Sequence, residues 1–302
     1  MRIAFFGLPL AALLLNEDGH EIVYAAVCRK GATGTRRLLR ALGTERVQIK
    51  PDLSKNAVLA RVREARPELV VSWFWTTKIP MPIVDLAPLG GFGVHPSLLP
   101  RHRGPDPYFS AIDAGDDETG VTAHRLAAEY DTGAVLGRSA LRIAPSWNAW
   151  TLAKKLDRPS LELLRATAGA FARGSPPRDE AQDETLATPA PAPDDAMLEI
   201  HWSWPAEKII RRVRAASPWP GAYTELGGQE LVLTRVEVAR TFPRALAPGE
   251  ATVCDDVAVV RTSDGAVALL EGRNTLETGD VTLDTAALAQ RVRGMVKAKP
   301  VL

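Results

Sequence analysis

Only two cysteines occur in this 302-residue chain, Cys28 and Cys254, and they lie far apart without metal-binding spacing. Their scarcity excludes a disulfide-rich secreted scaffold and favours a reducing, cytoplasmic compartment. No stretch reaches the ~18 consecutive apolar residues that a membrane span needs. The apolar run after Arg2 is broken at Gly7 and Pro9 and lacks a small-residue cleavage pattern, so it predicts a strand and a helix rather than a secretion signal.

Net charge is also nearly absent. The 37 basic and 36 acidic residues leave +1, and residues 197–302 carry 13 charges of each sign. Without an overall positive field, nucleic acid and anionic membranes are poor candidates for partners. The first strand–helix turn, FFGLPLA, lacks the G-x-G-x-x-G pattern, which argues against dinucleotide-dependent hydride transfer. No His, Cys or carboxylate cluster has the spacing of metal ligands, so we expect no metal.

Apolar strands and amphipathic helices alternate through the first 173 residues. Strands are predicted at Arg2–Phe6, Glu21–Val27, Arg46–Ile49, Leu69–Trp73, Gly91–Val94, Gly120–Leu126 and Val135–Ile143. Helices are predicted at Leu8–Leu15, Thr33–Leu42, Ser54–Ala65 with Ser54 as the N-cap, Pro107–Ala114 and Ala149–Arg173. This alternation indicates an α/β domain with a Rossmann-like parallel sheet and helices on both faces. Such sheets bind small molecules at the carboxyl ends of their strands, where His95 and Trp73–Pro82 would lie.

The composition changes at residue 174. Residues 174–196 are rich in Pro, Ala, Asp, Glu and Thr, which predicts a partly extended linker. Beyond it, a helix at Pro205–Ala216, short strands separated by turn residues, and a helix at Asp284–Val296 predict a small OB-like β-barrel. The predicted organisation is therefore a domain at 1–173, a linker at 174–196 and a second domain at 197–302.

Three segments share their residues with one family. They are HPSLLP at 95–100 with Arg103-Gly104, then Asp131-Thr132-Gly133, and IHWSWPAEKIIRRVRAASPWPGAYT at 200–224. The sequence resembles the 10-formyltetrahydrofolate-dependent formyltransferases, and the last segment resembles the start of their C-terminal domain. It looks closest to the members that act on amino-sugar nucleotides or hydroxyornithine, and less like the initiator-tRNA enzymes.

The resemblance implies three catalytic positions. Formyl transfer passes through a tetrahedral oxyanion while the attacking ammonium loses a proton, so it needs an oxyanion donor, a base and a carboxylate that orients the base. His95 matches the base or oxyanion donor, and Asp131 matches the carboxylate. In the family, an Asn two residues before the His donates to the formyl oxygen, and here that position is Gly93. Thr76, Thr77 or Lys78, or a water, would have to supply the missing donor.

The resemblance also implies the binding residues. The cofactor-binding positions are Trp73, Phe74, Trp75, Thr77, Lys78, Ile79, Pro80, Val94 and Asp131, which would hold 10-formyltetrahydrofolate. The acceptor-binding positions are Ser97, Leu98, Leu99, Arg101 and Arg103. Arginines there would present positive charge to a phosphate or carboxylate of the acceptor.

The function expected from these residues is an N-formyltransferase of one-carbon metabolism. It would move a formyl group from 10-formyltetrahydrofolate to an amine of a small metabolite or nucleotide sugar in a biosynthetic reaction. Gly93 leaves alternatives open: a diverged acyl or carbamoyl transferase, a hydrolase of the formyl donor, or a non-catalytic binding homologue. A homodimer is also left open.

Overall fold

The computed structural model describes residues 1–276 and 279–298, and the other residues of the predicted domain 197–302 lie outside this description. The chain divides into two compact units. The first comprises residues 1–107, 118–142 and 154–191, and the second comprises residues 108–117, 143–153 and 192–302.

The first unit is built on a seven-stranded sheet in the order β3-β2-β1-β4-β5-β6-β7. Its strands are β1 Arg2–Gly7, β2 Glu21–Val27, β3 Val47–Ile49, β4 Leu69–Trp73, β5 Gly91–His95, β6 Glu118–Arg125 and β7 Val135–Arg142. The helices along this part of the chain are α1 Pro9–Glu17, α2 Thr35–Leu42, α3 Asn56–Ala65, α4 Met81–Val84, α5 Pro107–Ala114 and α6 Ala149–Ala172. The predicted Rossmann-like sheet is confirmed for β1 to β5, which pair in parallel, whereas β6 and β7 add an antiparallel edge.

Apolar side chains cover both faces of this sheet. On one face, Phe6, Tyr24 and Val70 pack with α3 and α4 in one buried cluster. On the other face, Phe92 stacks on Phe171 of α6 with ring centroids 5.8 Å apart. Strands buried on both faces explain why the sequence shows continuous apolar runs here instead of alternation.

One predicted helix start is wrong. Ser54 is not the N-cap of α3, because Lys55 holds that position and makes no side-chain capping bond. The Ser54 hydroxyl instead donates to Asp52 Oδ1 at 2.6 Å. A Ser–Asp turn therefore competes with the cap for the same hydroxyl, as Ser and Asp side chains commonly do in turns.

The second unit contains an antiparallel sheet with the order β10-β11-β12-β9-β8, and β13 pairs with β12. Its strands are β8 Ala222–Glu225, β9 Glu230–Val238, β10 Ala251–Cys254, β11 Val257–Arg261, β12 Ala266–Leu276 and β13 Gly279–Leu283. The helices are α7 Asp195–Leu198, α8 Ala206–Ala216 and α9 Thr285–Ala298. The antiparallel sheet is confirmed, while its closure into an OB-like barrel stays a prediction.

Candidate active site

The site is set by the pairing of β5 with β6. Gly93 and His95 are two residues apart in β5, so they face the same side of the sheet. The antiparallel register places His124 directly opposite Gly93 and Thr122 opposite His95. His124 therefore faces the same side as His95, and directly opposed residues of such a pair have Cβ atoms about 4.5–5.5 Å apart.

Asp131 lies between the two histidines. Its Oδ2 is 3.5 Å from His95 Nδ1, and its Oδ1 is 3.5 Å from His124 Nε2. The backbone N–H of Gly104 donates to Asp131 Oδ2 at 3.0 Å. Asp131 has φ 58°, a left-handed conformation that Asp tolerates better than most residues. The structure thus brings the predicted pair His95 and Asp131 together and adds His124, which sequence reasoning had passed over.

Backbone carbonyls fix the tautomers of both histidines. His95 Nε2 lies 2.8 Å from the carbonyl oxygen of His102, and His124 Nδ1 lies 3.0 Å from that of Arg125. A carbonyl can only accept, so these two nitrogens carry the protons and donate. In the neutral state, the lone pairs of His95 Nδ1 and His124 Nε2 therefore both face the Asp131 carboxylate.

Burial keeps His124 neutral. Its side chain is 7% exposed, and this burial lowers its pKa to about 4, although the Asp131 charge acts in the opposite direction. His95 also adds a smaller lowering effect. When both imidazoles are neutral, the site therefore presents one carboxylate flanked by two imidazole lone pairs. Among the residues that the structure describes, no group of three or more such side chains has the geometry to hold a metal ion.

Residues 180–190 hold the Asp131 loop in place. The side-chain amide of Gln182 donates to the carbonyl oxygens of Asp131 at 2.8 Å and Gly133 at 2.7 Å. Arg103 donates to Gln182 Oε1 at 2.7 Å and forms an ion pair with Glu184 at 2.7 Å. This segment falls in the predicted linker, and its contacts are polar and non-periodic, so no sequence signal pointed to them.

A glycine is required where this segment meets the site. Gly104 has φ +128°, and a Cβ there would lie 2.6 Å from the carbonyl oxygen of Ala190. The close approach lets the Gly104 N–H reach Asp131. Only glycine combines this conformation with so little space.

The residues predicted to bind the acceptor differ in burial and in their contacts within the chain. The Arg103 guanidinium, predicted to meet an anionic acceptor, is bound by Gln182 and Glu184 within the chain. Ser97 is fully buried, and its hydroxyl donates to the carbonyl of Arg101 at 2.6 Å. Leu99 is buried, Leu98 is half-buried, and Arg101 is exposed. Acceptor contacts by these five residues stay predictions.

The predicted folate segment follows β4. Trp73 is buried, and its indole donates to Ser160 Oγ of α6 at 2.7 Å, so its side chain packs beneath the sheet. Trp75 packs edge-on against Phe6 with centroids 5.7 Å apart, and its buried indole N–H has no partner among the described residues. Phe74, at φ 54°, contacts the Trp73 ring edge-on at 4.7 Å.

The rest of that segment divides into buried and exposed residues. Ile79 lies in the core cluster and Pro80 is the N-cap of α4, while Val94 in β5 is buried. Thr76, Thr77 and Lys78 are exposed, and Lys78 pairs with Glu129 at 3.4 Å. Folate contacts by these residues stay predictions, as does a displaced oxyanion donor in Thr76–Lys78.

Gly93 leaves space at the centre of this site. A Cβ at residue 93 would meet Ser72 Cβ at 3.5 Å, and Leu126 Cδ2 and the Ser72 carbonyl oxygen at 3.6 Å. These are ordinary van der Waals distances, so the fold does not require glycine here. Packing within β5 therefore does not explain the glycine, and we interpret the missing side chain at residue 93 as a feature of the site.

Two family models match most of the chain. Residues 16–167 match the formyl transferase family, and residues 194–278 match the formyl transferase C-terminal domain. A methionyl-tRNA formyltransferase of Herpetosiphon aurantiacus is 33% identical over 285 residues, which cover 90% of this chain and 92% of that protein.

Two solved structures share the fold of this chain. HypX from Aquifex aeolicus, in complex with tetrahydrofolic acid, has a TM-score of 0.66 at 21% identity, and the match covers 99% of this chain and 48% of HypX. This chain therefore spans about half the length of HypX. The sugar 3N-formyl transferase WlaRD, solved with dTDP and 5-N-formyl-THF, has a TM-score of 0.65 at 14% identity, and the match covers 89% of this chain and 97% of WlaRD.

Among the described residues, no helix is long and apolar enough to cross a membrane.

Proposed function

Because the chain belongs to the formyl transferase family, we propose that it transfers the formyl group of 10-formyltetrahydrofolate to an amine. The observation that carries this proposal is the position of His95 Nδ1, which lies 3.5 Å from the Asp131 carboxylate at the carboxyl end of β5. That end of a parallel sheet is where open α/β folds bind small molecules. HypX was solved with tetrahydrofolic acid and WlaRD with 5-N-formyl-THF, which supports a folate donor.

His95 is the base of the proposed reaction. Its Nε2 is committed to the His102 carbonyl, so Nδ1 is the nitrogen that accepts the proton of the attacking ammonium. The Asp131 carboxylate, oriented by the Gly104 N–H, stabilises the imidazolium that forms. The Gly93 position lacks the family's oxyanion donor, whose loss typically costs about 10²–10³ in rate.

The acceptor that we propose first is a small phosphate-bearing amine such as a nucleotide sugar. The sugar 3N-formyl transferase WlaRD has this fold and was solved with dTDP. Exposed Arg29 and Lys30 follow β2, and exposed Lys50 follows β3, at the strand ends that share the His95 edge of the sheet. Such cations fit phosphate groups of an acceptor.

An aminoacylated tRNA is the second candidate, and one observation favours it. Residues 29–66 contain 11 basic and 3 acidic residues, although the whole chain carries only +1. A concentrated basic segment suits a polyanion. The full-length similarity to a methionyl-tRNA formyltransferase points the same way.

The direct test follows tetrahydrofolate release from 10-formyltetrahydrofolate, with no amine, with amino-sugar nucleotides, or with methionyl-tRNA. We expect release only with an amine, and His95→Ala and Asp131→Asn should reduce kcat by about 10²–10⁴. The exposed Asp85→Asn is the matched control and should keep the parent rate.

Other outcomes would replace the proposal. Release without any amine would indicate a hydrolase of the formyl donor. Full activity of Asp131→Asn would contradict the assignment of His95 as a base that Asp131 supports. Gly93→Asn separates the remaining alternatives. If only this variant is active, the parent is a binding homologue that lacks the oxyanion donor. If the parent is faster, Gly93 belongs to a working site.

A further inference from the structure

Three hydrogen-bond acceptors lie close together in this site. They are His95 Nδ1, the Asp131 carboxylate and His124 Nε2, with 3.5 Å between each imidazole nitrogen and the nearest carboxylate oxygen. The tautomers set by the carbonyls of His102 and Arg125 leave no proton between them in the neutral state. Facing acceptors without a proton repel one another, so this arrangement favours a ligand that donates several hydrogen bonds.

A protonated amine meets that requirement. An ammonium group has three N–H donors and no acceptor, and its charge complements the Asp131 carboxylate. Gly93 lies opposite His124 in the sheet, so no side chain from residue 93 occupies the space beside the imidazole.

The electrostatics keep His124 available as an acceptor. The titratable and charged groups acting on it are Asp131, which raises its pKa, and His95 and Arg103, which lower it. Burial is the largest effect and holds the imidazole neutral near pH 7. Its Nε2 lone pair is thus present at the pH at which an amine acceptor is protonated.

We propose that His124 is an amine-binding residue, whose Nε2 accepts a hydrogen bond from the acceptor's ammonium alongside His95 and Asp131. This inference rests on the proposed function and deepens it. One ammonium proton passes to His95 Nδ1 and then to solvent. The amine nitrogen bonds to the formyl carbon, the bond from that carbon to N10 of the folate breaks, and the second proton of the amine ends on N10.

The first test reads the histidines directly. The chain has five, so histidine-labelled protein gives a small set of ¹⁵N and ¹³C NMR signals that single substitutions assign. At pH 7 we expect His124 to be neutral, with its proton on Nδ1. A charged His124, or one with its proton on Nε2, would overturn the proposal.

The second test uses methylammonium chloride as the amine probe and tetramethylammonium chloride, which has no N–H donor, as the matched control. We expect the His95 and His124 signals to shift saturably with methylammonium only. In His124→Leu, the methylammonium concentration for half the His95 shift should rise about ten- to hundredfold, the value of one hydrogen bond to a charged group. An unchanged midpoint, or no saturable shift in the parent, would refute the role of His124.

His124→Gln guards against a folding artefact. The Gln side chain retains an acceptor oxygen, so this variant should keep the parent midpoint within about twofold. If Gln and Leu weaken the response equally, His124 is structural and the inference fails. These measurements need no folate and no turnover, so their failure is distinct from failure of the formyl transfer assay.

Discussion

At the scale of single residues, Gly91 and Gly93 make a matched pair within β5. A Cβ at residue 91 would lie 2.9 Å from Leu126 Cδ1 and 3.0 Å from Val70 Cβ, whereas residue 93 has ordinary contact distances. Gly93→Ala should therefore stabilise the protein by about 0.4–1 kcal/mol, because alanine restricts the unfolded chain without a native clash. Gly91→Ala should destabilise it by about 1–3 kcal/mol through overpacking.

Urea unfolding of the two variants and the parent checks this prediction. The two midpoints should move in opposite directions. A lower midpoint for Gly93→Ala would show that the strand itself requires glycine at this position, and the vacancy beside His124 would then lose its functional interpretation.

His124 also determines a pH dependence of stability. Its pKa is lowered to about 4 in the folded protein by burial, while an unfolded histidine titrates near pH 6.5. The unfolded chain therefore binds one more proton between these values, so stability is fully present above about pH 6.5 and falls as the pH drops toward 4. The loss attributable to His124 approaches about 3 kcal/mol at pH 4.

The difference between the parent and His124→Gln isolates this contribution. Urea midpoints measured from pH 7 to pH 4 should fall more steeply in the parent, while His20, whose pKa burial also lowers, acts equally in both proteins. Parallel pH curves for the two proteins would show that His124 is already protonated at neutral pH or titrates normally.

At the scale of elements, the sequence predicted what apolar patterns encode. The bounds of β2 and α5 follow from runs of apolar or β-branched residues, and the structure reproduces them. The site motif likewise singled out His95 and Asp131, which the structure brings together, while their catalytic roles stay predictions. His124 was missed because a lone histidine in a strand has no signature of its own, and its importance appears only when the antiparallel register places it opposite Gly93.

Residues 180–190 show more clearly which contacts cannot be predicted from sequence patterns. Their contacts with the site use a Gln amide, a Glu carboxylate and backbone bridges at Glu180 and Pro189, none of which repeats with a helix or strand period. A segment poor in large apolar residues is indistinguishable from a free linker by composition. Long-range polar contacts of this kind become visible only in three dimensions.

Gln182 gives this element a testable role. Gln182→Ala should lower kcat by about tenfold with little change in KM for the folate, because the Asp131 loop loses two hydrogen bonds. Gln182→Glu can still accept from Arg103 but cannot donate to the carbonyls of Asp131 and Gly133. If Glu behaves like Ala, positioning of the Asp131 loop is the cause, whereas parent-like activity of Glu would assign Gln182 to Arg103 alone.

At the scale of the whole molecule, the near-zero net charge conceals an asymmetry. The excess of basic residues in 29–66 is offset by acidic residues elsewhere in the sequence. Arg29 and Lys30 follow the carboxyl end of β2, on the edge of the sheet that carries His95, whereas Arg63 and Arg66 lie at the end of α3, before β4 begins at Leu69. The two pairs carry equal charge at opposite ends of the strands: Arg29 and Lys30 lie at the carboxyl ends, and Arg63 and Arg66 lie at the amino ends.

This placement separates a local phosphate contact from a general electrostatic attraction. Arg29→Gln with Lys30→Gln should raise KM for a phosphate-bearing acceptor about tenfold and leave kcat unchanged, because both residues are exposed and follow β2, three strands away from the β5 strand that carries the base. Arg63→Gln with Arg66→Gln, which removes the same charge, should leave KM within about twofold.

Steady-state kinetics at two salt concentrations provide the measurement. For a nucleotide sugar that meets about two charges, the logarithm of the affinity should fall with the logarithm of the salt concentration with a slope near 2. A tRNA that is bound along its phosphate backbone should give a steeper slope, and both double variants should bind it more weakly. Equal effects of the two pairs with a shallow slope would contradict both acceptors and place the phosphate contact elsewhere.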